Sequence, residues 1–323
     1  MLLIPYIFAV LKCIIYGSSI FFTGALTESV DVLDVLALRF LMSFVVLWIL
    51  KVTRVIKINV GIKDIMGKTE RSKFVKSLLL AALFEPVLYM FFETLGISMV
   101  SGVTAGVILS LQPVSSVICE MVFLKERSST AKNLFLFLGI LGVGYISVCT
   151  GAADGGSSMI GILVLVGAVL ASSLFQTFSR KSSSHFSSFE ITYFACMLGA
   201  LVFNAINVFR HLISGDISNY FAPYLNLENM IGFFFLAVVS TIIAACMNNY
   251  AVARMQISTM SAFGGISTVT TILVGVIFNN EHLYYFHYIG ITLIIIRMIG
   301  VSTIAIRKDA GRLDLDRNKI AAA

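Results

Sequence analysis

The sequence predicts an all-α membrane protein, ten transmembrane helices arranged as two inverted five-helix repeats. Three observations lead there. Hydrophobic residues fill 58% of the 323 positions and charged residues only 12%, with a mean hydropathy of +0.96. A soluble domain carries about a quarter charged residues, so the chain reads as polytopic. Apolar windows long enough to cross about 30 Å of hydrocarbon occur ten times, and the gaps between them alternate between basic and nearly base-free. Finally, the second half of the chain resembles the first at a fixed offset.

The windows fall near 3–23, 33–51, 76–96, 101–123, 133–150, 158–179, 189–209, 230–250, 256–278 and 285–306. Met1 to Phe22 lacks a basic leader and a small-residue cleavage site, so it is read as a retained first span. The second gap holds eight basic residues between Lys51 and Lys76; the fourth has Lys125, Arg127 and Lys132, and the sixth Arg180 and Lys181. The odd gaps carry mostly acids, Glu28 and Asp31 in the first and Asp216 and Glu228 in the seventh, with Arg210 the sole exception. Basic loops stay in the cytoplasm, so both termini are expected there, which agrees with an even number of spans. Within the second gap, Val55 to Met66 reads either as an amphipathic stretch on the inner leaflet or as a solvated linker.

The net charge of +6 resides in these gaps rather than in a basic stripe among exposed aromatics, which argues against a nucleic-acid partner. The five cysteines lie in or beside apolar runs without paired spacing and read as packing residues. There is no HExxH, no phosphate-cradling glycine loop and no nucleophile placed beside His185, His211, His282 or His287. No enzyme activity, metal site or cofactor is expected.

The segment Gly17–Thr23 overlies Ala171–Thr177 at an offset of 154 residues, and Phe123 and Glu126 overlie Phe278 and Glu281 at 155. Five spans is an odd number, so the second copy enters the membrane from the opposite side. Inverted repeats of this kind supply the two near-equivalent states of secondary transporters. The expected units are 1–150 (spans 1–5), 158–306 (spans 6–10) and a cytoplasmic tail, 307–323.

Polar residues inside apolar spans are the candidate site. Lys12, Tyr16, Ser19 and Thr23 recur at helical spacing on the first span, and Glu85, Tyr89 and Glu93 on one face of the third. Gln112 and Ser116 lie in the fourth span, Ser172, Gln176 and Ser179 in the sixth, Thr241 and Asn248 in the eighth, Ser267, Thr270 and Thr271 in the ninth. A charge in hydrocarbon costs several kcal/mol unless it faces protein or water, so these faces are expected to enclose a cavity. Lys12 and Glu85 either pair across helices or meet the charges of a ligand, and Glu85 is also a candidate proton carrier. Pro86 is a candidate hinge or a tolerated kink. Arg39 is expected to tie helices through backbone carbonyls or Glu93, and Arg297 to join the repeats or a neighbouring subunit.

Tyr16-Gly17-Ser18-Ser19, Arg39-Phe40, Leu111-Gln112-Pro113 and Leu124-Lys125-Glu126-Arg127, in this order, resemble the EamA branch of the drug/metabolite transporter superfamily. Tyr16 stands where that family usually has Trp, and Lys125 where it has Gly. The resemblance covers residues 5 to 306. It implies a cavity lined by spans 1, 3, 4, 6, 8 and 9, and alternating-access transport, in the direction of export, of a small polar or zwitterionic metabolite such as an amino acid. Amphipathic drugs, purine- or vitamin-like compounds, or a non-transporting scaffold are the alternatives. Partners are then the substrate, the lipid bilayer and a coupling ion such as a proton, with a homodimer left open.

Overall fold

A computed structural model describes residues 3–56, 81–124, 158–182, 186–255 and 263–278 continuously, with scattered positions among 58, 79, 131–149, 260 and 284–304. Among the described residues there is no strand, and six helices are long and apolar enough to cross a membrane, with shorter apolar helices beside them. The basic stretch 59–76, the Lys125–Arg127 stop, Glu281 and the 307–323 tail lie outside the described residues, as does much of the fifth span.

Helices α1 (Leu3–Ser29) and α2 (Val32–Val52) form a hairpin turned at Asp31, whose carboxylate caps α2 by accepting from the Leu33 amide at 2.9 Å. Both helices expose large apolar side chains outward; Trp48 is 51% and Val45 43% exposed, a lipid-facing surface rather than a failure to pack.

The third span departs from a regular helix. Leu83–Leu88 is a widened, π-type segment, and Glu85 within it has φ −138° and ψ 114°, before the regular helix α3 (Tyr89–Ile97) begins. Glu85 leaves helical geometry immediately before Pro86, whose nitrogen carries no hydrogen to donate to the ladder. Glu85 therefore does not share one unbroken helical face with Tyr89 and Glu93, which corrects the spacing argument. The fourth span is also divided. Helices α4 (Gly102–Leu109) and α5 (Gln112–Cys119) meet at a tight turn, Leu111 N bonding Ile108 O at 3.0 Å. Pro113 has no N–H for the carbonyl four residues back, so the ladder breaks one turn earlier.

In the second half, α6 (Met159–Ser182) and α7 (Ser188–Ser214) are long and regular. Ser187 and Glu190 form a capping box at the start of α7, and Gly215, at φ +71°, closes its end where a side chain would be strained. The following gap forms two 3-10 turns that bury Tyr220 against Leu26, Val30 and Phe233. The eighth span starts as α8 (Leu227–Phe234), widens over Phe235–Ala244 and returns to α-geometry in α9 (Ala245–Val252). Helix α10 (Gly264–Phe278) is the ninth, and a short apolar helix, Tyr288–Arg297, follows.

The packing is nearly unchanged when the halves are exchanged. Helix α1 packs on α10 and on the Leu227–Val252 span, while α6 packs on α3 and on α4–α5; α2 packs on α7, and α4 on α10. The widened segments correspond too, since an offset of 154 residues carries Leu83–Leu88 into Phe235–Ala244.

The α1–α10 contact is backbone-close at Gly17. A Cβ there would meet the Ser267 carbonyl oxygen at 2.5 Å, and the Thr271 hydroxyl donates to the Gly17 carbonyl at 3.0 Å. A backbone carbonyl cannot swing aside, so Gly17→Ala is expected to cost about 1–3 kcal/mol through overpacking. Gly24→Ala, whose Cβ would find its nearest neighbour at 3.9 Å, should be neutral. Melting midpoints of the two variants in detergent check this.

Candidate functional site

Two cavities follow one another along α1, and a third lies beside the second, touching α1 at Tyr16. The outermost, about 470 Å³, is a vestibule at the C-terminal end of α1, lined by Ile20, Gly24, Thr27, Glu28, Ile97 and Ser101 among others. The next, about 50 Å³, is lined by Lys12, Cys13, Tyr16, Ile20, Tyr89, Glu93, Gln112 and Ser267, with Gly106, Leu109, Ser110, Gly264 and Thr268 completing it. We call it the central chamber. The third, about 20 Å³, lies beyond Tyr16 and is lined by Tyr16, Phe40, Glu85, Pro86, Cys196, Thr241 and Asn249, among others. Ile20 lines both the vestibule and the central chamber, and Tyr16 both inner cavities, four residues apart on one face of α1.

Six residues singled out in the sequence thus meet in the central chamber: Lys12, Tyr16, Tyr89, Glu93, Gln112 and Ser267. The Lys12 ammonium sits 5.6 Å from the centre of the Tyr16 ring, within cation–π range. The Tyr89 hydroxyl, one turn before Glu93 on α3, donates to the Glu93 carboxylate at 2.5 Å. The Gln112 amide donates to the Ser172 hydroxyl, which fastens α5 to α6 beside the chamber.

The others lie elsewhere. Glu85 lines the third cavity, and among the described residues no ion pair joins it to Lys12. Ser19 is buried and its hydroxyl donates to the Tyr16 carbonyl at 2.8 Å. Gln176 is buried on α6, and its Oε1 has no hydrogen-bond partner among the described residues. Asn248 is buried on α9, but its neighbour Asn249 lines the third cavity. The widened turns at Phe235–Ala244 explain this phase slip, because a π-type turn uses more residues than an α-turn and rotates everything after it. Asn249 also joins Ser179 on α6 to Thr192 on α7, at 3.2 and 3.0 Å.

Arg39 is 1% exposed and ties α2 to the widened segment of the eighth span. Its Nε donates to the Thr241 hydroxyl at 2.8 Å and its Nη2 to the Ser240 hydroxyl at 3.4 Å, neither being the carbonyl or carboxylate expected. Arg297 donates from Nη1 to the Ser110 carbonyl at 2.5 Å, at the break between α4 and α5, so it joins the two halves. A cation beside the last carbonyls of α4 also meets the negative end of that helix.

A further cluster escaped the sequence reading. Asp34 is buried at the start of α2 and accepts from Asn207 at 2.8 Å and from Arg210 at 2.7 Å, with His211 Nε2 2.8 Å away, all on α7. Arg210 also pairs with Asp31 at 2.5 Å. The signal for it was Arg210 itself, the one base in an otherwise acidic set of gaps. A charge neutralised locally by two carboxylates no longer argues about orientation.

Among the described residues, no group of three or more His, Cys, Asp or Glu side chains could hold a metal ion. A helical bundle with apolar flanks and an ionisable core cavity defines a membrane transport protein, and comparisons with known proteins give the family. The EamA-like transporter family matches residues 3–148 and 159–303, once in each half, so the chain belongs to that family. An uncharacterized transporter, YcxC, of Bacillus subtilis (strain 168) is 29% identical over 314 residues, covering 97% of both chains. Another from the same organism, YetK, is 23% identical over 87% of this chain and 81% of its own. A solved structure titled "Crystal structure of protein" superposes with a TM-score of 0.64 at 16% identity, covering 94% of this chain and 97% of that one. That likeness supports the fold alone. The protein is a multi-pass membrane transporter of the EamA-like family, and not an enzyme.

Proposed function

We propose that this transporter moves a small polar or zwitterionic metabolite, such as an amino acid, by alternating access through the central chamber. One observation carries the reading: Lys12 and Glu93, opposite in charge, line the same enclosed space with Tyr89, Gln112 and Ser267 around them. A zwitterion brings one charge for each. Without a ligand, Glu93 has only the Tyr89 hydroxyl and Lys12 only the Tyr16 ring, and among the described residues neither has an ion-pair partner to offset its desolvation. A second copy of the bundle in opposite orientation accounts for two near-equivalent states, and the exchange-symmetric packing supports it.

With the basic gaps read as cytoplasmic and both termini with them, the vestibule at the end of α1 faces outward and export runs from the amino-terminal side of α1 towards it. Metabolite sites usually span about 300–1,000 Å³. The central chamber is far smaller, so it represents a contracted state that must widen to load. Proteoliposome flux with a mixed amino-acid pool tests this reading, and a scaffold would give none.

Glu85 is our candidate for proton coupling, since it lines a cavity and, among the described residues, no base forms an ion pair with it. Glu85→Gln is expected to abolish pH-driven flux while leaving substrate exchange at equal pH intact. An unchanged pH dependence dismisses the assignment.

A further inference from the structure

The vestibule and the central chamber are both polar enough to hold water, yet apolar side chains of α1, α3, α4 and α6 stand between them. Ile20, 4% exposed, belongs to a buried cluster with Ile97, Ala105, Ile108 and Leu165, drawn from α1, α3, α4 and α6. Ile97 faces the vestibule beside Ile20, and Leu109, packed on the same cluster, faces the chamber beside it. On the vestibule side stand Glu28, Ser98 and Ser101; on the chamber side stand Lys12, Tyr89 and Glu93. A polar solute passing between them meets hydrocarbon from α1, α3, α4 and α6, with Thr268 and Thr271 of α10 forming the remaining wall. Narrow apolar constrictions stop ions and polar solutes by staying dry, without a physical plug.

We propose that Ile20, backed by Ile97, is the gate between vestibule and chamber, and that side-chain volume at position 20 sets how fast a small polar solute passes. Ile20 sits one turn from Tyr16, which stands between the chamber and the third cavity beside it. A tilt of α1 therefore moves both barriers together. The close α1–α10 contact at Gly17, between the two, is where such a tilt would pivot. The gate rests on the chamber geometry, and it deepens the transport reading by naming the residue that limits access from the α1 C-terminal side.

Cys13 lines the chamber beyond Ile20 and is 1% exposed, so it reports passage directly. The test keeps Cys13 and replaces Cys119, Cys149, Cys196 and Cys246 by alanine in the full chain, reconstituted in liposomes. A cationic methanethiosulfonate is added; its sulfenyl sulfur is attacked by the Cys13 thiolate, a mixed disulfide forms and methanesulfinate leaves. Relative to Ile20, Ile20→Ala is expected to speed modification at least fivefold and Ile97→Ala to speed it less. Ile20→Phe should slow it at least fivefold. Equal rates across the folded variants overturn the gate. If Ile20→Ala does not yield a monodisperse protein, Ile20→Val decides, with a rate at least twofold above Ile20 expected and an unchanged rate fatal. The readout needs no transport, so graded labelling in a protein that moves no metabolite would sink the proposed function and leave the gate standing. Flux with ungraded labelling would do the reverse.

Discussion

Replacing Asp34 with alanine is expected to lower the melting midpoint in detergent more than any other single change outside the bundle core. Its carboxylate accepts from Asn207 and Arg210 and faces His211 Nε2 at 2.8 Å, with only 13% of the side chain exposed. Removing it leaves the Asn207 amide and the His211 imidazole without this acceptor at a buried spot, while Arg210 keeps only its exposed pair with Asp31. Breaking a buried charge pair by deleting one partner costs about 3–5 kcal/mol, a shift on the order of 5–10 °C for a chain of this size. Asp34→Asn, which keeps an acceptor oxygen but loses the charge, should fall between. Asp31→Ala should cost less, about 0.5–2 kcal/mol for the lost cap of α2, because its pair with Arg210 is half exposed and exposed pairs contribute about 0–1 kcal/mol. A midpoint for Asp34→Ala within one or two degrees of the parent contradicts the assignment of this cluster as the tie between α2 and α7.

The second large effect falls on transport rather than stability. Lys12→Met and Glu93→Gln are each expected to cut flux at least tenfold, since a hydrogen bond to a charged group contributes about 1.5–3 kcal/mol and each 1.4 kcal/mol is tenfold. Both substitutions are close in volume to the residue they replace. Among the described residues neither forms an ion pair, Glu93 holding the Tyr89 hydroxyl and Lys12 lying over the Tyr16 ring, so folded yield should change little. Ser172→Ala, which removes the acceptor of the Gln112 amide at the chamber wall, should raise the half-saturation concentration and leave maximal flux nearly intact. Separate measurement of folded yield and initial rates distinguishes this pattern from simple destabilisation.

Much of this was legible in the residues. Apolar run lengths and the order of short motifs led to the fold class and the family. The +4 spacing of Tyr89 and Glu93 placed them together, and Lys12, Gln112 and Ser267 followed from the cost of polar groups in hydrocarbon. What failed was helical phase. Pro86 throws Glu85 off the α3 face, and the widened turns before α9 bring Asn249, not Asn248, to a cavity. Periodicity arguments assume 3.6 residues per turn throughout, and irregular turns void that assumption downstream. Ile20 was invisible for a different reason: a gate made of hydrocarbon looks like any other apolar residue in a span. Asp34 was hidden in an apolar run, and only its partner Arg210 stood out.

The proposed function requires the central chamber to be the place where substrate is held. The most direct measurement is counterflow in proteoliposomes preloaded with an unlabelled amino-acid pool, following entry of the same labelled compounds without any ion gradient. Accumulation by the parent, lost in Lys12→Met and Glu93→Gln while Glu85→Gln retains it, is the predicted result. Full counterflow in the Lys12→Met, Glu93→Gln double variant, with protein folded and reconstituted, would contradict it.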